Sequence, residues 1–302
     1  MKKAVYICCN DPYVFKSVVA LNQFEVYNPD YDKVMIGTKY SDESKKLCEK
    51  YNIKTFEINL EEDFNDLDKR PYSRNYPIEC FYHFYAYKLL NDYDYILQTE
   101  ADIYTNKKIN IKLEKIKHIA GSYSKNWRIS NFKTLNKDFD KIKKIYWKGD
   151  IHQERISGGI KIYNVKGLEK INFYDKIVEY YKACLKHNMP RCGDDSLEVF
   201  YQMLNPKHVL LLPPQFHVII FYNLDNDIKN NDITFFHFGG PTKKYWEINI
   251  YAFKNLKPMQ KYFYLKMIIY IYKNYSMKFI KEKLPEVFEN KIQFMPPNNI
   301  TD

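Results

Sequence analysis

The first hundred residues alternate short β-branched or aromatic runs with stretches of helical spacing, and this alternation restricts the fold more than any other feature. The run 3-KAVYICC-9 reads as a buried strand. Pro12 then opens a helical stretch in which Val14, Val18, Val19, Leu21 and Phe24 recur at helical spacing. A turn at 29-PDYD-32 precedes a second strand, 33-KVMIG-37. In 41-SDESKKLCEKY-51, Ser41 and Ser44 are candidate N-caps followed by acids in the first turn. The spacing predicts a third strand at 54-KTFEINL-60, a helix from Pro77 through residues 78–90, and a fourth strand at 93-YDYILQT-99. Strand–helix–strand alternation of this kind belongs to α/β proteins with a mostly parallel sheet. Such sheets bind ligands outside the carboxyl ends of their strands. Cys9-Asn10-Asp11 and Glu100-Ala101-Asp102 fall at two of those ends.

Beyond residue 106 the pattern loosens, and residues 133–155 read as a solvated, Lys- and Asp-rich insertion, with the shaping of an acceptor groove as the alternative. Regularity returns with a strand at 156–165, helices at 168–187 and 194–204, and apolar strands at 209–212 and 216–221. The segment 235-FFHFGGPTKKYW-246 closes the recognisable core. We expect one α/β domain over residues 1–250 and a helical extension with a flexible tail over 251–302. In that extension, aromatics and lysines interleave on a long helix across residues 259–284. A helix resting on the domain with solvated Lys stems accounts for the pattern. An interfacial membrane helix is the sharper alternative, making residues 259–284 a candidate peripheral membrane contact. No run reaches the roughly 18–20 uncharged residues that a membrane span needs.

A formal net charge of +10 suggests anionic partners, but the lysines are spread along the chain and equally fit a soluble surface with a basic bias. The six cysteines form no CxxC or zinc-finger spacing, and the N-terminus has too short an apolar run for a signal peptide. The expected setting is therefore cytoplasmic, with reduced thiols.

Glu100 and Asp102 end an apolar run one residue apart. In an extended chain they would face the same side, where both could hold a hard cation such as Mn²⁺ or Mg²⁺. Acid pairs at strand ends are common, so the pair alone decides little. His237 lies far along the chain, directly before Phe238 and the glycines Gly239 and Gly240. A histidine beside aromatics is ordinarily a core residue. Here the glycines allow close backbone approach, and Lys243 and Lys244 supply cations suited to a diphosphate.

Four stretches together resemble the glycosyltransferases of the GT-A fold, most nearly family 8, whose fold is Rossmann-like. The stretches are 7-ICCNDPY-13, 95-YILQTEAD-102, 156-ISGGIKIYN-164 with 193-GDDSL-197, and 237-HFGGPTK-243. The last matches H-x-x-G-x-x-K and is the most specific. The resemblance implies that Ile7, Cys9, Asn10 and Tyr13 contact the uridine of a UDP-sugar. It implies Asp102 and His237 as metal ligands, and Glu100 as a ligand of the metal or of the ribose, with Ala101 between the acids in the cofactor site. Gly240 and Lys243 would hold the diphosphate, and Arg74 would contact phosphate. Ser157, Asp194 and Asp195 would face the donor sugar, the two acids in the catalytic role. The family usually has Asp at position 100, Asn at 157 and Gln at 195, so retention and inversion of the anomeric centre both stay open.

The sequence is thus read as a metal-dependent hexosyltransferase with a nucleotide-sugar donor and a glycan or other hydroxyl acceptor. A sugar nucleotidyltransferase would want a glycine-rich loop after the first strand, where this chain has CCNDPY. A non-catalytic protein binding nucleic acid or membrane would explain the charge and the tyrosines but not the acid pair, so nucleic acid is a poor candidate partner.

Overall fold

The computed structural model describes residues 1–64, 77–128, 154–186, 194–219, 229–239, 244–248 and 250–289. Arg74, Gly240 and Lys243 lie outside the described residues, as does the side chain of Asp195.

The first strand, β1 (Lys3–Cys8), sits inside a sheet, flanked by β2 (Asp32–Gly37) and β4 (Tyr95–Gln98), both parallel to it. β3 (Ile53–Glu57) extends the sheet beyond β2, again in parallel. A strand covered on both faces reads as an unbroken apolar run, and period-two alternation shares its side chains between two cores. Ala4 and Tyr6 join Val34, Ile36 and Ile96 on one face, while Val5 and Ile7 join Met35 and Leu97 on the other. Each fully buried aliphatic side chain of this kind contributes roughly 1.5–3 kcal/mol.

On the far side of β4 the sheet continues through β7 (Glu154–Asn164), β6 (Ile119–Arg128) and β8 (Val209–Leu212). Among the described residues the order is β3-β2-β1-β4-β7-β6-β8, and only β7 runs against the rest. A second, three-stranded sheet has the order β5-β10-β9, from β5 (Ile103–Thr105), β9 (His217–Ile219) and β10 (Phe235–His237).

The helices follow their sequence signals, with informative departures. After a short 3-10 turn containing Pro12, α1 runs Val14–Glu25. Ser41 caps α2 (Asp42–Lys50), its side chain accepting from the Ser44 amide at 3.2 Å. The helix expected over 78–90 is instead a 3-10 helix, Ile78–Phe84, followed by a single α turn, α3 (Ala86–Leu89). Its Phe81, Tyr82, Phe84 and Tyr87 are all buried, so the segment follows the shape of the core instead of exposing one face. The helix expected over 168–187 is two, α4 (Val165–Glu169) and α5 (Phe173–Lys186), parted near Asn172, whose φ of 50° no helix accommodates. α6 spans Asp194–Leu204 as expected.

After α7 (Ile250–Lys254), the tail forms α8 (Pro258–Asn274), α9 (Met277–Lys283) and α10 (Pro285–Glu289). The single long helix expected over 259–284 is therefore divided at Tyr275-Ser276, where the Ser276 side chain accepts from the Phe279 amide and caps α9. Phe263, Met267, Ile271, Ile280 and Leu284 share a buried cluster with Tyr104, Val218, Phe236 and Phe238. The tail thus leans on the three-stranded sheet, and residues on both sides of position 250 contribute to one apolar cluster. Among the described residues, no helix is long and apolar enough to cross a membrane.

Candidate active site

The two sheets meet where β4 ends. Past Gln98 the chain leaves the strand, with the Thr99 amide still donating to the Tyr6 carbonyl at 3.0 Å. It then turns, the Ile103 amide donating to the Glu100 carbonyl at 3.2 Å. Glu100 and Asp102 therefore converge through a turn and not, as the spacing alone suggested, along an extended strand. β5 follows at once and pairs antiparallel with β10, setting His237 opposite Ile103. One step further, the Phe238 amide donates to the Asp102 carbonyl at 3.0 Å. Backbone register, fixed by these bonds, delivers the imidazole to the acids.

Nε2 of His237 lies 3.1 Å from Oε2 of Glu100 and 3.3 Å from Oδ1 of Asp102. One ligand atom from each of the three residues fits within a 4.8 Å span. Nε2 is buried, yet neither carboxylate lies in line to hydrogen-bond it. A buried imidazole nitrogen without an aligned partner, beside two carboxylates, fits a divalent cation.

The charges are balanced without one. Burial alone would lower the pKa of His237, but the negative charges of Asp102 and Glu100 outweigh it and raise the value to about 10. Burial would likewise raise the Asp102 carboxyl, yet His237 and Lys244 hold it well below the usual carboxylate range. The Lys244 ammonium pairs directly with Oδ2 of Asp102. Burial opposes the charged lysine, and Asp102 more than restores it, so its pKa is raised.

The other expected residues fall into place around this centre to different degrees. Ile7 and Cys9 are buried at and just beyond the end of β1. Oδ1 of Asn10 is buried with no hydrogen-bond partner. Tyr13 is 44% exposed, and its ring meets Trp246 edge-on at 6.4 Å, which ties the loop after β1 to the segment after β10. Ala101 is buried in the turn between the two acids. Ser157 is buried on β7, and its hydroxyl lies 3.0 Å from Nδ1 of His217. Asp194 opens α6 and is partly exposed.

Sequence reasoning missed three features. His217, the first residue of β9, places Nε2 3.2 Å from Nδ1 of His237. In sequence it is one histidine within the apolar run 216–221, with no motif around it. Lys244 had been grouped with Lys243 as a diphosphate partner, without a sign that it reaches Asp102. The third is a buried ionic cluster: Glu198 on α6 pairs with Lys161 on β7 and lies 3.3 Å from Nε2 of His83. The Tyr163 hydroxyl sits 2.9 Å from Glu198 and 2.8 Å from Oε1 of Gln98, two residues before Glu100. Glu198 follows Asp194 by one helical turn, the only signal that could have pointed to it.

The architecture is that of the GT-A glycosyltransferases. The galactosyltransferase LgtC, solved with donor and acceptor sugar analogues, superposes with a TM-score of 0.63 at 13% identity, over 92% of this chain and 98% of that one. The bifunctional glycosyltransferase WbbM gives 0.62 at 16% identity, over 96% of this chain and 51% of that one. The glycosyltransferase GlyE of Streptococcus pneumoniae gives 0.57 at 12% identity, over 96% and 64%. No protein-family model matches the chain, and no curated protein matches it in sequence. The likeness is one of fold.

Proposed function

We propose that this protein is a metal-dependent glycosyltransferase of the family 8 type, moving a hexose from a UDP-sugar to an acceptor hydroxyl on a glycan, protein or lipid carrier. The observation that carries the reading is the Glu100–Asp102–His237 cluster, set at the carboxyl end of β4 in a GT-A fold. Those three residues would hold Mn²⁺, or Mg²⁺ in its place, and a bound dication supplies positive charge to the departing diphosphate.

The chain's own groups do the rest. In the transfer, the bond from the anomeric carbon to the diphosphate oxygen breaks, and a bond to the acceptor oxygen forms. The acceptor's proton leaves with that step, and we assign Asp194 and Asp195 to the sugar side of the site, where a carboxylate can take it. We assign Lys244 and, from the sequence pattern alone, Lys243 and Gly240 to the diphosphate. Arg74 is assigned to phosphate on the resemblance alone. The unpartnered Oδ1 of Asn10 accepts a hydrogen bond from the nucleoside, beside Ile7, Cys9 and Tyr13. The cytoplasm remains our placement.

The test is a panel of nucleotide sugars scored for Mn²⁺-dependent hydrolysis without acceptor. Asp102→Asn should lose on the order of 100-fold or more in rate. Near-wild-type turnover of that variant with Mn²⁺ present would refute the metal assignment. Salt-sensitive binding of single-stranded RNA with no hydrolysis of any donor would favour a binding protein.

A further inference from the structure

Two buried groups behind His237 have no role in the scheme above: the His217 imidazole and the Ser157 hydroxyl. They form a single file. Oγ of Ser157 is 3.0 Å from Nδ1 of His217, and Nε2 of His217 is 3.2 Å from Nδ1 of His237. The two imidazoles lie nearly parallel, 25° apart, with centroids separated by 5.3 Å. At the far end, Nε2 of His237 faces Glu100 and Asp102.

Backbone holds this file from both sides. Gly159 has φ of +94°, and a Cβ there would meet Nδ1 of His237 at 2.9 Å and Cε1 of His217 at 3.1 Å. A Cβ on Gly239 would come within 2.1 Å of Nε2 of His237. Both glycines leave room for the imidazoles that an alanine would fill.

A metal-binding imidazole must present a bare nitrogen to the ion, and the hydrogen bond at its other nitrogen decides which one is bare. We propose that His217, backed by Ser157, is a positioning residue that holds the proton of His237 on Nδ1, leaving Nε2 for a divalent cation. His217 accepts from His237 at Nε2 and donates from Nδ1 to Oγ of Ser157. The arrangement uses a neutral His217 whose proton on Nδ1 faces Oγ of Ser157. This gives Ser157 a place behind His237, instead of the donor-sugar contact that the resemblance implies. The inference rests on the metal reading, and a binding measurement separates the two.

The experiment is Mn²⁺ binding to the full chain without donor, followed by the electron paramagnetic resonance of the free ion, with chemical unfolding of the metal-free protein as a control. His217→Leu should weaken Mn²⁺ about 10–100-fold, and His217→Gln, whose amide oxygen can still accept from Nδ1, should recover part of that loss. Ser157→Ala should weaken binding by a smaller factor. Wild-type binding matched within twofold by His217→Leu overturns the clamp and leaves the metal site standing. No Mn²⁺ binding by the wild type overturns both. Should His217→Leu fail to fold, ¹⁵N-histidine spectra of the Mg²⁺-loaded wild type decide: the proposal expects a proton on Nδ1 of His237 and none on Nε2, and a bare Nδ1 refutes it.

Discussion

Glu198→Gln offers a strict test of how the site is supported from below. Glu198 and Lys161 are both about 1% exposed, and their charges pair inside the core between α6 and β7. Burial would raise the Glu198 carboxyl, but Lys161 and His83 outweigh it and hold the pKa at about 2, against an ordinary value of 4.5. That depression corresponds to about 3 kcal/mol favouring the folded state. Glutamine keeps the shape and an oxygen for the Tyr163 hydroxyl but removes the negative charge facing the Lys161 ammonium, and breaking a buried pair from one side costs about 3–5 kcal/mol. Because the folded pKa is depressed, the contribution is complete above pH 4.5 and fades as the pH falls from there towards 2. In urea unfolding at neutral pH, Glu198→Gln should therefore lose about 3 kcal/mol. The double variant Glu198→Gln/Lys161→Met, which removes both charges, should regain much of it. The wild type should lose stability between pH 4.5 and 2 more steeply than the variant. A loss below about 1 kcal/mol, or a double variant no more stable than the single one, would show that the pair is not the buried ionic contact described.

Other perturbations read the site directly. Gly239→Ala places a methyl group within 2.1 Å of Nε2 of His237, so the ring must shift and Mn²⁺ affinity should fall; unchanged affinity in a Mn²⁺ titration would contradict the close approach. Asn10→Ala removes the unpartnered buried oxygen, and calorimetry should show weaker UDP binding with Mn²⁺ affinity intact. The exposed Ile269, Tyr272 and Met277 stand among the lysines of α8 and α9. Sedimentation with anionic vesicles should show salt-sensitive binding that is lost on replacing these three with serine; retention of binding by the triple variant would place the contact elsewhere.

The parallel half of the sheet was legible because each of its strands carries its own signal. β1, β2 and β4 are short apolar runs covered on both faces, and Pro12 and Ser41 mark the helix starts between them. β6 carried no such mark. Its run Ile119–Arg128 mixes small, polar and basic residues, and its place between β7 and β8 comes from long-range pairing. β5 has three residues, too few to show a period. The continuous helix expected after Pro77 failed for a related reason: aromatics on every side of residues 78–90 gave helical spacing no polar face to alternate with.

The three residues that cluster were legible in the sequence, but not what brings them together. Glu100, Asp102 and His237 could be picked out because their residue types suit a cation and their neighbours include glycine and lysine. Their distances, however, come from β5 and β10 pairing in one register, with Phe238 bonded to Asp102. A slip of one residue would turn His237 to the opposite face of the three-stranded sheet, where Phe236 and Phe238 would exchange places with it. The apolar cluster that those two phenylalanines share with α8 opposes that slip. The C-terminal helices, unremarkable as chemistry, therefore help fix the imidazole in front of the acids. The same register sets His217 behind it, since β9 lies parallel to β10 with His217 opposite Phe235. Residue type is a local property of the chain, whereas the geometry of this cluster depends on segments that meet only in the folded molecule.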